Sequence, residues 1–534
     1  MTVYDSIPVT VTGGTLSDAE IAAYVKHSKK TYPNRKIEQL SIQVDGDFVD
    51  LRCQFAPENY ELIMQWPSSD SALSGLEDVE KALNQITEPA IGVTVHLKVT
   101  ENPVFETSLA VSSGEKLDLS LALYGHMSNL VSNGYLLPLD DLISQYGQSV
   151  KEACGVQLKG GYYQNQLYGI PPVYSEGQRY GFICRTDMME KYDFQLEDGK
   201  CYTFDELEAF FNRVKKGEGE DFFIIGGSLA SGAGLLEKSE FAFDVLGSHI
   251  NTGVLMLGQE GEITSASLAA CNKIVDFYET KEFMQFARRM HRWNQAGFFY
   301  PNTSISEMDS NIMMRDNKIL GWFFHNVPGE EVENASKSKL DVTFIPTREA
   351  IRTTDVSQNV LWSIPVTSEK PKKVIEFLNL LYTDSTVSNL LQRGIEGESY
   401  VVVEENENGK LIDFPEGMDI STIPYYVNGG VYGNRLCAYT WVPGDINHNQ
   451  AVKEFSDQIS LTSPAWGYVF DSENVSIQIA QVDQVVEKYI GIIETGSVDP
   501  NIEVPLFLSE LKAAGIDQIV EENQRQYDTW RKKQ

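Results

Sequence analysis

The sequence predicts an α/β protein, and three observations carry that expectation. From Tyr60 onward short apolar strands alternate with amphipathic helices. The chain has 534 residues, several times the size of an ordinary domain, so two or three domains with sizeable cores are expected. Hydrophobic residues make up 42% and charged residues 22%, the balance of a folded globular chain rather than a disordered one.

The elements follow in order. Residues 1–57 read as a separate βαββ unit. Val9-Thr10-Val11-Thr12 alternates like a strand, and Ser17-Asp18-Ala19-Glu20 opens a helix with a capping-box pattern. Strands over 37–44 and 48–55 flank Asp45-Gly46-Asp47, a hairpin signal. Beyond the change of pattern at Pro57, strands are expected over 61–66, 93–99, 117–123 and 222–225. Helices are expected over 74–86, 203–216, 267–295, 370–382 and 474–493. Glu404 to Gly409 reads as a polar turn between strands.

The formal charge of −33 repels phosphate backbones and anionic headgroups, so nucleic acid and lipid surfaces are poor partners. No run of about 18 apolar residues exists to form a membrane-spanning helix, and the first 30 residues lack the pattern of an export signal. Cys53, Cys154, Cys184, Cys201, Cys271 and Cys437 are widely spaced, which is neither a zinc framework nor a disulfide scaffold. They are expected as small apolar residues, with Cys184 and Cys201 able to bridge only if the fold joins them.

Motifs for a zinc protease, a serine hydrolase, a phosphate-binding loop and a dinucleotide fold are all missing. Carboxylates are so abundant that a glycosidase pair cannot be read from sequence. Asp445, Asn447 and Asn449 match the start of an EF-hand loop. Gln450 stands where glycine is required and Ser456 where a bidentate Glu belongs, so no calcium and no other cofactor is expected.

Several segments, taken in order, carry a resemblance. Lys116-Leu117-Asp118-Leu119 precedes Gly134-Tyr135-Leu136-Leu137-Pro138-Leu139-Asp140. Gln166 to Pro171 and Tyr180 to Arg185 follow, then His291 to Gly297, Asn317 to Trp322, Leu381 to Asp384, Gly394 to Gly397 and Trp466 to Asp471. Over residues 58–534 the chain resembles the family 1 extracellular solute-binding proteins of bacterial ABC sugar importers, most closely the large clostridial lipoproteins. The resemblance implies a two-lobed, type II periplasmic-binding-protein-like fold with a hinge and an interlobe cleft. Lobe 1 is expected at 58–174 and 358–395, and lobe 2 at 175–357 and 396–534.

The resemblance further implies a monomeric receptor on the cell surface, lipid-anchored as in the family, that hands an oligosaccharide to permease subunits without chemistry. A sugar needs aromatic platforms for its C–H faces and polar groups for its hydroxyls. By position in the family pattern the candidates are Trp66, Tyr124, His126, Tyr174, Glu176, Trp322 and His325, with Trp362, Glu396 and Trp441 as additions. Three rivals stay open: a receptor for a peptide or other polar solute, a carbohydrate-active enzyme, and an adhesion module acting through residues 1–57.

Overall fold

The computed structural model describes the chain except residues 1–2, 11–16, 32–36, 46–47, 56–58, 68–72, 124–125, 227–233, 248, 259–262, 302–308, 359 and 428–431. The N-terminal unit is a three-stranded antiparallel sheet. Phe48–Phe55 lies at its centre, between Val3–Thr10 and Ile37–Asp45, and the helix Asp18–Thr31 follows the first strand. The capping box forms as its spacing predicts: the Ser17 N–H donates to Glu20 at 2.8 Å and the Glu20 N–H donates back to Ser17 Oγ. Residues 11–12 and 46–47 of this region lie outside the described residues.

Two hydrophobic cores organise the rest. The first is built from residues 60–173 and 362–427, the second from 182–351 and 465–527. The chain therefore leaves the first core after Val173, returns between Ile351 and Trp362, and leaves again between Val427 and Ala465. Tyr425 and Val427 fall in a stretch expected with lobe 2, yet both pack in the first core, where the Pro424 carbonyl accepts from the Gly75 N–H. Their aromatic and aliphatic side chains find their apolar partners there.

In the first lobe Tyr60–Pro67 pairs in parallel with Val93–Thr100, and Ser120–Leu123 pairs antiparallel with Val360–Ser363. The motif residue Asp118 is structural. Its buried carboxylate accepts from the Tyr60 hydroxyl, the Ile63 N–H at 3.0 Å and Ser368 Oγ at 2.7 Å, which ties a strand of the sheet to the loop ahead of the helix Pro371–Thr383. Asp140 acts similarly, accepting from the Leu167 N–H at 2.9 Å.

The second lobe holds a four-stranded sheet in the order Phe223–Ile225, Ile319–Asn326, Arg179–Arg185, Val342–Arg348. Trp293 anchors its core, stacked on Phe204 at 5.3 Å and on Phe323 at 6.0 Å. The expected helix over 267–295 is broken in two: Ser265–Ala270 ends early, and Lys281–Gln295 starts afresh. Asp276 and Thr280 are the cause, because each accepts a backbone N–H two or three residues ahead and so restarts the chain. The C-terminal helices Ser476–Glu494, Pro500–Ala514 and Ile516–Arg531 extend this core through Val482, Phe507 and Tyr527.

Cys154, Cys184, Cys201, Cys271 and Cys437 are all free thiols, so Cys184 and Cys201 are not bridged. The Asp445–Asn449 segment is a turn leading into the helix His448–Gln458, with Asp445 accepting from the Asn447 N–H at 2.8 Å. Among the described residues no group of three or more potential metal ligands comes together.

Candidate functional site

The strand order places the carboxyl ends of Tyr60–Pro67 and Ser120–Leu123 in one lobe, and of Phe223–Ile225 and Ile319–Asn326 in the other, where α/β sheets receive ligands. His126 opens the helix Met127–Ser132 just past one such end. Burial, and after it the neighbouring His249 of the second lobe, holds its imidazole below the usual histidine range. His325, near the end of Ile319–Asn326, is pushed down to about 4 by burial and then by the Lys238 charge. A neutral imidazole offers one N–H donor and one acceptor, which suits a hydroxyl that is itself both.

Close by, Leu236 is anchored from the C-terminal region: its N–H donates to the Glu494 carboxylate at 2.9 Å. Glu494 is fully buried, and burial raises its carboxyl from 4.5 to about 7. In the unfolded chain this group ionises near 4.5, so folding takes up a proton between about pH 4.5 and 7. The stabilisation is complete below that window and is lost as pH rises through it. Glu494→Gln should remove this pH dependence and gain about 2 to 4 kcal/mol over the parent at pH 8, read by urea unfolding at pH 4.5 and 8. An unchanged slope between those values would contradict the assignment.

A cavity of about 560 Å³ lies farther along, with walls from both sides. Residues 393–449 supply an aromatic platform in which Trp441 stacks on Phe414 at 4.7 Å and 30°, with Tyr426 at 6.4 Å. Tyr439 joins the lining, and its carbonyl accepts from Arg393 Nε at 3.0 Å. Opposite stand Gly329 and Glu330, which follow the strand Ile319–Asn326. Gly329 has φ +96°, and a Cβ there would lie 2.3 Å from His448 Nδ1, so only glycine allows the two sides this close. His448 Nε2 is 3.2 Å from the Tyr174 hydroxyl, and the Arg435 guanidinium sits 3.9 Å over the Tyr174 ring. The cavity thus combines stacked aromatic faces with cationic and amphoteric hydrogen-bonding groups.

The structure sorts the residues expected from sequence. Trp441 lines this cavity and Tyr174 backs it. Glu396 is exposed near its edge, close enough to raise the Tyr439 and Tyr400 hydroxyls electrostatically, after the larger effect of burial. Tyr124 lies outside the described residues.

Four candidates are placed elsewhere. Trp66 and Trp362 are 0% and 1% exposed and belong to the first core. Trp66 lies on the same strand face as Tyr60, Leu62 and Met64, so the pleat turns it inward. Trp322 is 8% exposed and packs with Ile183, Met313 and Met314, whereas Phe323 packs in the second core; alternation along the strand puts His325 on the Phe323 face, away from Trp322. The Glu176 carboxylate is taken up by Arg352, which also donates to the carbonyls of Ile459 and Ser456, a clasp where chain segments cross between the lobes.

Phe414, Tyr426, Tyr439, Arg435 and His448 went unread in the sequence. The signal was the aromatic run Tyr425, Tyr426, Tyr432, Tyr439 and Trp441, dense for a stretch with so few regular elements.

Comparison with known proteins gives three results. The family model for bacterial extracellular solute-binding proteins matches residues 74–387, and a model for a domain of unknown function matches residues 464–532. A carbohydrate ABC transporter substrate-binding protein of Streptococcus pneumoniae is 23% identical over 475 residues, covering 86% of this chain and 88% of that protein. Among solved structures, the N-glycan transport solute-binding protein of Streptococcus pneumoniae superposes with a TM-score of 0.71 at 20% identity, over 88% of this chain and 98% of that one. Its complex with Man5GlcNAc superposes with a TM-score of 0.63 at 20% identity, over 89% and 99%. The structural likeness is one of fold.

Proposed function

Given that the chain belongs to the bacterial extracellular solute-binding proteins, a family of receptors built on the two-lobed type II fold, we propose that it captures an oligosaccharide between its lobes and delivers it to an ABC permease. The observation that carries this reading is the cavity of about 560 Å³ in which Trp441 and Phe414 form a stacked platform facing the second-lobe residues Gly329 and Glu330. That volume fits within the usual range of small-molecule sites, and aromatic faces flanked by a few polar groups are what a pyranose requires.

The relatives support the same class: one is named for carbohydrate transport, and another is solved with a mannose-containing glycan. The ligand-contacting residues we assign are Trp441, Phe414, Tyr426, Tyr439 and His448, with His126 and His325 toward the strand ends. Capture changes no bond in the ligand, because the receptor's role is completed by release to the permease. The receptor acts as a monomer at the cell surface, held there by a lipid anchor.

A ligand that binds only the folded state raises the melting temperature by mass action. Screening the chain by thermal shift against a glycan panel should give a hit with micromolar or tighter affinity, about −8 kcal/mol. Chromatography of the incubated hit should return the intact glycan. Hits confined to peptides, or a cleaved product, would overturn the proposal.

A further inference from the structure

A second cavity, of about 630 Å³, is separate from the Trp441 platform and shares none of its residues. One wall is the first-lobe segment from Lys159 to Asn165; the other is Trp466 to Asp471 with the helix Ile516–Arg531. The two walls are joined by polar contacts. The Tyr163 hydroxyl donates to the Asp471 carboxylate at 2.7 Å, and Ser132 Oγ approaches the same oxygen at 3.3 Å. Gly467, at φ +92°, lies beside Lys159, where an added Cβ would come 3.5 Å from the Lys159 Cβ and carbonyl oxygen.

The helical wall is preorganised. Gln526 accepts from the Asp471 N–H at 2.9 Å and donates to its carbonyl at 2.8 Å, which fixes the loop to the helix. Arg525 forks onto Glu522 at 2.7 and 2.6 Å, a pairing that holds the Glu522 carboxyl down to about 2. This network sets Thr529 and the half-buried Trp530 on the cavity side, facing the half-buried Tyr162. At the tip of the facing hairpin, Gln164 and Asn165 adopt left-handed φ values of 50° and 67°, which hold two exposed amides at the rim. Aromatic faces beside amides, on rigid supports, are again the equipment for a sugar ring.

We propose that this cavity is a second saccharide site, taking one or two sugar rings, and that its occupation is coupled to the cleft. The ligand class rests on the carbohydrate reading above. The coupling follows from geometry: a ligand wedged between a first-lobe hairpin and the second-lobe helices binds only some lobe arrangements. It therefore shifts cleft affinity, and the cleft ligand shifts its own affinity by the same factor.

The test is calorimetric titration of the full chain with N,N′-diacetylchitobiose and with α-1,6-mannobiose, each on the parent, on Trp441→Ala, and on Trp441→Ala combined with Tyr162→Ala or with Thr529→Trp. Thr529→Trp fills the cavity from an exposed helix position without removing a core contact, and its melting temperature separates loss of the site from loss of fold. With the cleft platform removed by Trp441→Ala, binding of at least one disaccharide should survive, and it should fall at least tenfold when Tyr162→Ala or Thr529→Trp is added to that variant. Binding already lost in Trp441→Ala, binding unchanged when the cavity substitutions are added, or no binding of either disaccharide by the folded parent would overturn the second site. The carbohydrate reading fails separately, through a glycan panel without a hit that depends on Trp441.

Discussion

Trp66→Ala should cost about 3 to 5 kcal/mol of folding stability while leaving ligand affinity per folded molecule unchanged. The indole is fully buried, its ring 5.5 Å from that of Tyr432, with Leu62 and Met64 in the same core. Truncation opens a cavity the size of an indole in a core held by parallel strand pairing, and the surrounding backbone has little freedom to collapse into it. Urea unfolding gives the stability, and titration at low urea gives the affinity. A stability change below about 1 kcal/mol with a large loss of affinity would show that the residue faces the ligand after all.

Trp441→Ala should do the reverse. Its ring is half-buried, stacked on Phe414, and lines the cavity between the lobes. Removing a desolvated aromatic contact typically costs about 2 kcal/mol of binding or more, roughly thirtyfold in affinity. Stability should change by about 1 kcal/mol at most, since the stacking partner stays in place and solvent reaches the gap. Titrating the glycan identified by thermal shift checks both numbers. Affinity within threefold of the parent would remove the platform from the binding site.

These two tryptophans show how far the site could be read in advance. Both stand where aromatic residues of a sugar receptor are expected. Yet Tyr60, Leu62, Met64 and Trp66 alternate at the period of a strand, so the pattern already placed Trp66 with the apolar face. The same alternation separates Trp322 from His325. Trp441 gave no comparable signal, because it sits in a two-residue strand, Thr440–Trp441, within a largely irregular stretch. Glu176 illustrates a different limit. Its partner Arg352 is 176 residues away, and no local pattern announces an ion pair at that separation.

The C-terminal helices were only partly legible for local reasons. Pro505 interrupts the apolar pattern of Pro500–Ala514, and Ile516–Arg531 is polar over most of its surface, so its place in the core comes from Ile519 and Tyr527 packing on the second lobe.

By itself the sequence determined the alternation of strands and helices, the βαββ unit, and the hairpin and capping signals. All of these rest on residues close together in the chain, where backbone geometry and apolar period suffice. Tertiary structure alone decided which aromatic side chains became core and which became cavity wall. It also decided that Tyr425 and Val427 pack in the first core, and that Gly329 meets His448 across the groove. Each of those outcomes depends on which surfaces are brought together over hundreds of residues. Burial, and with it the choice between stabilising the fold and touching a ligand, is a property of that assembly rather than of any one segment.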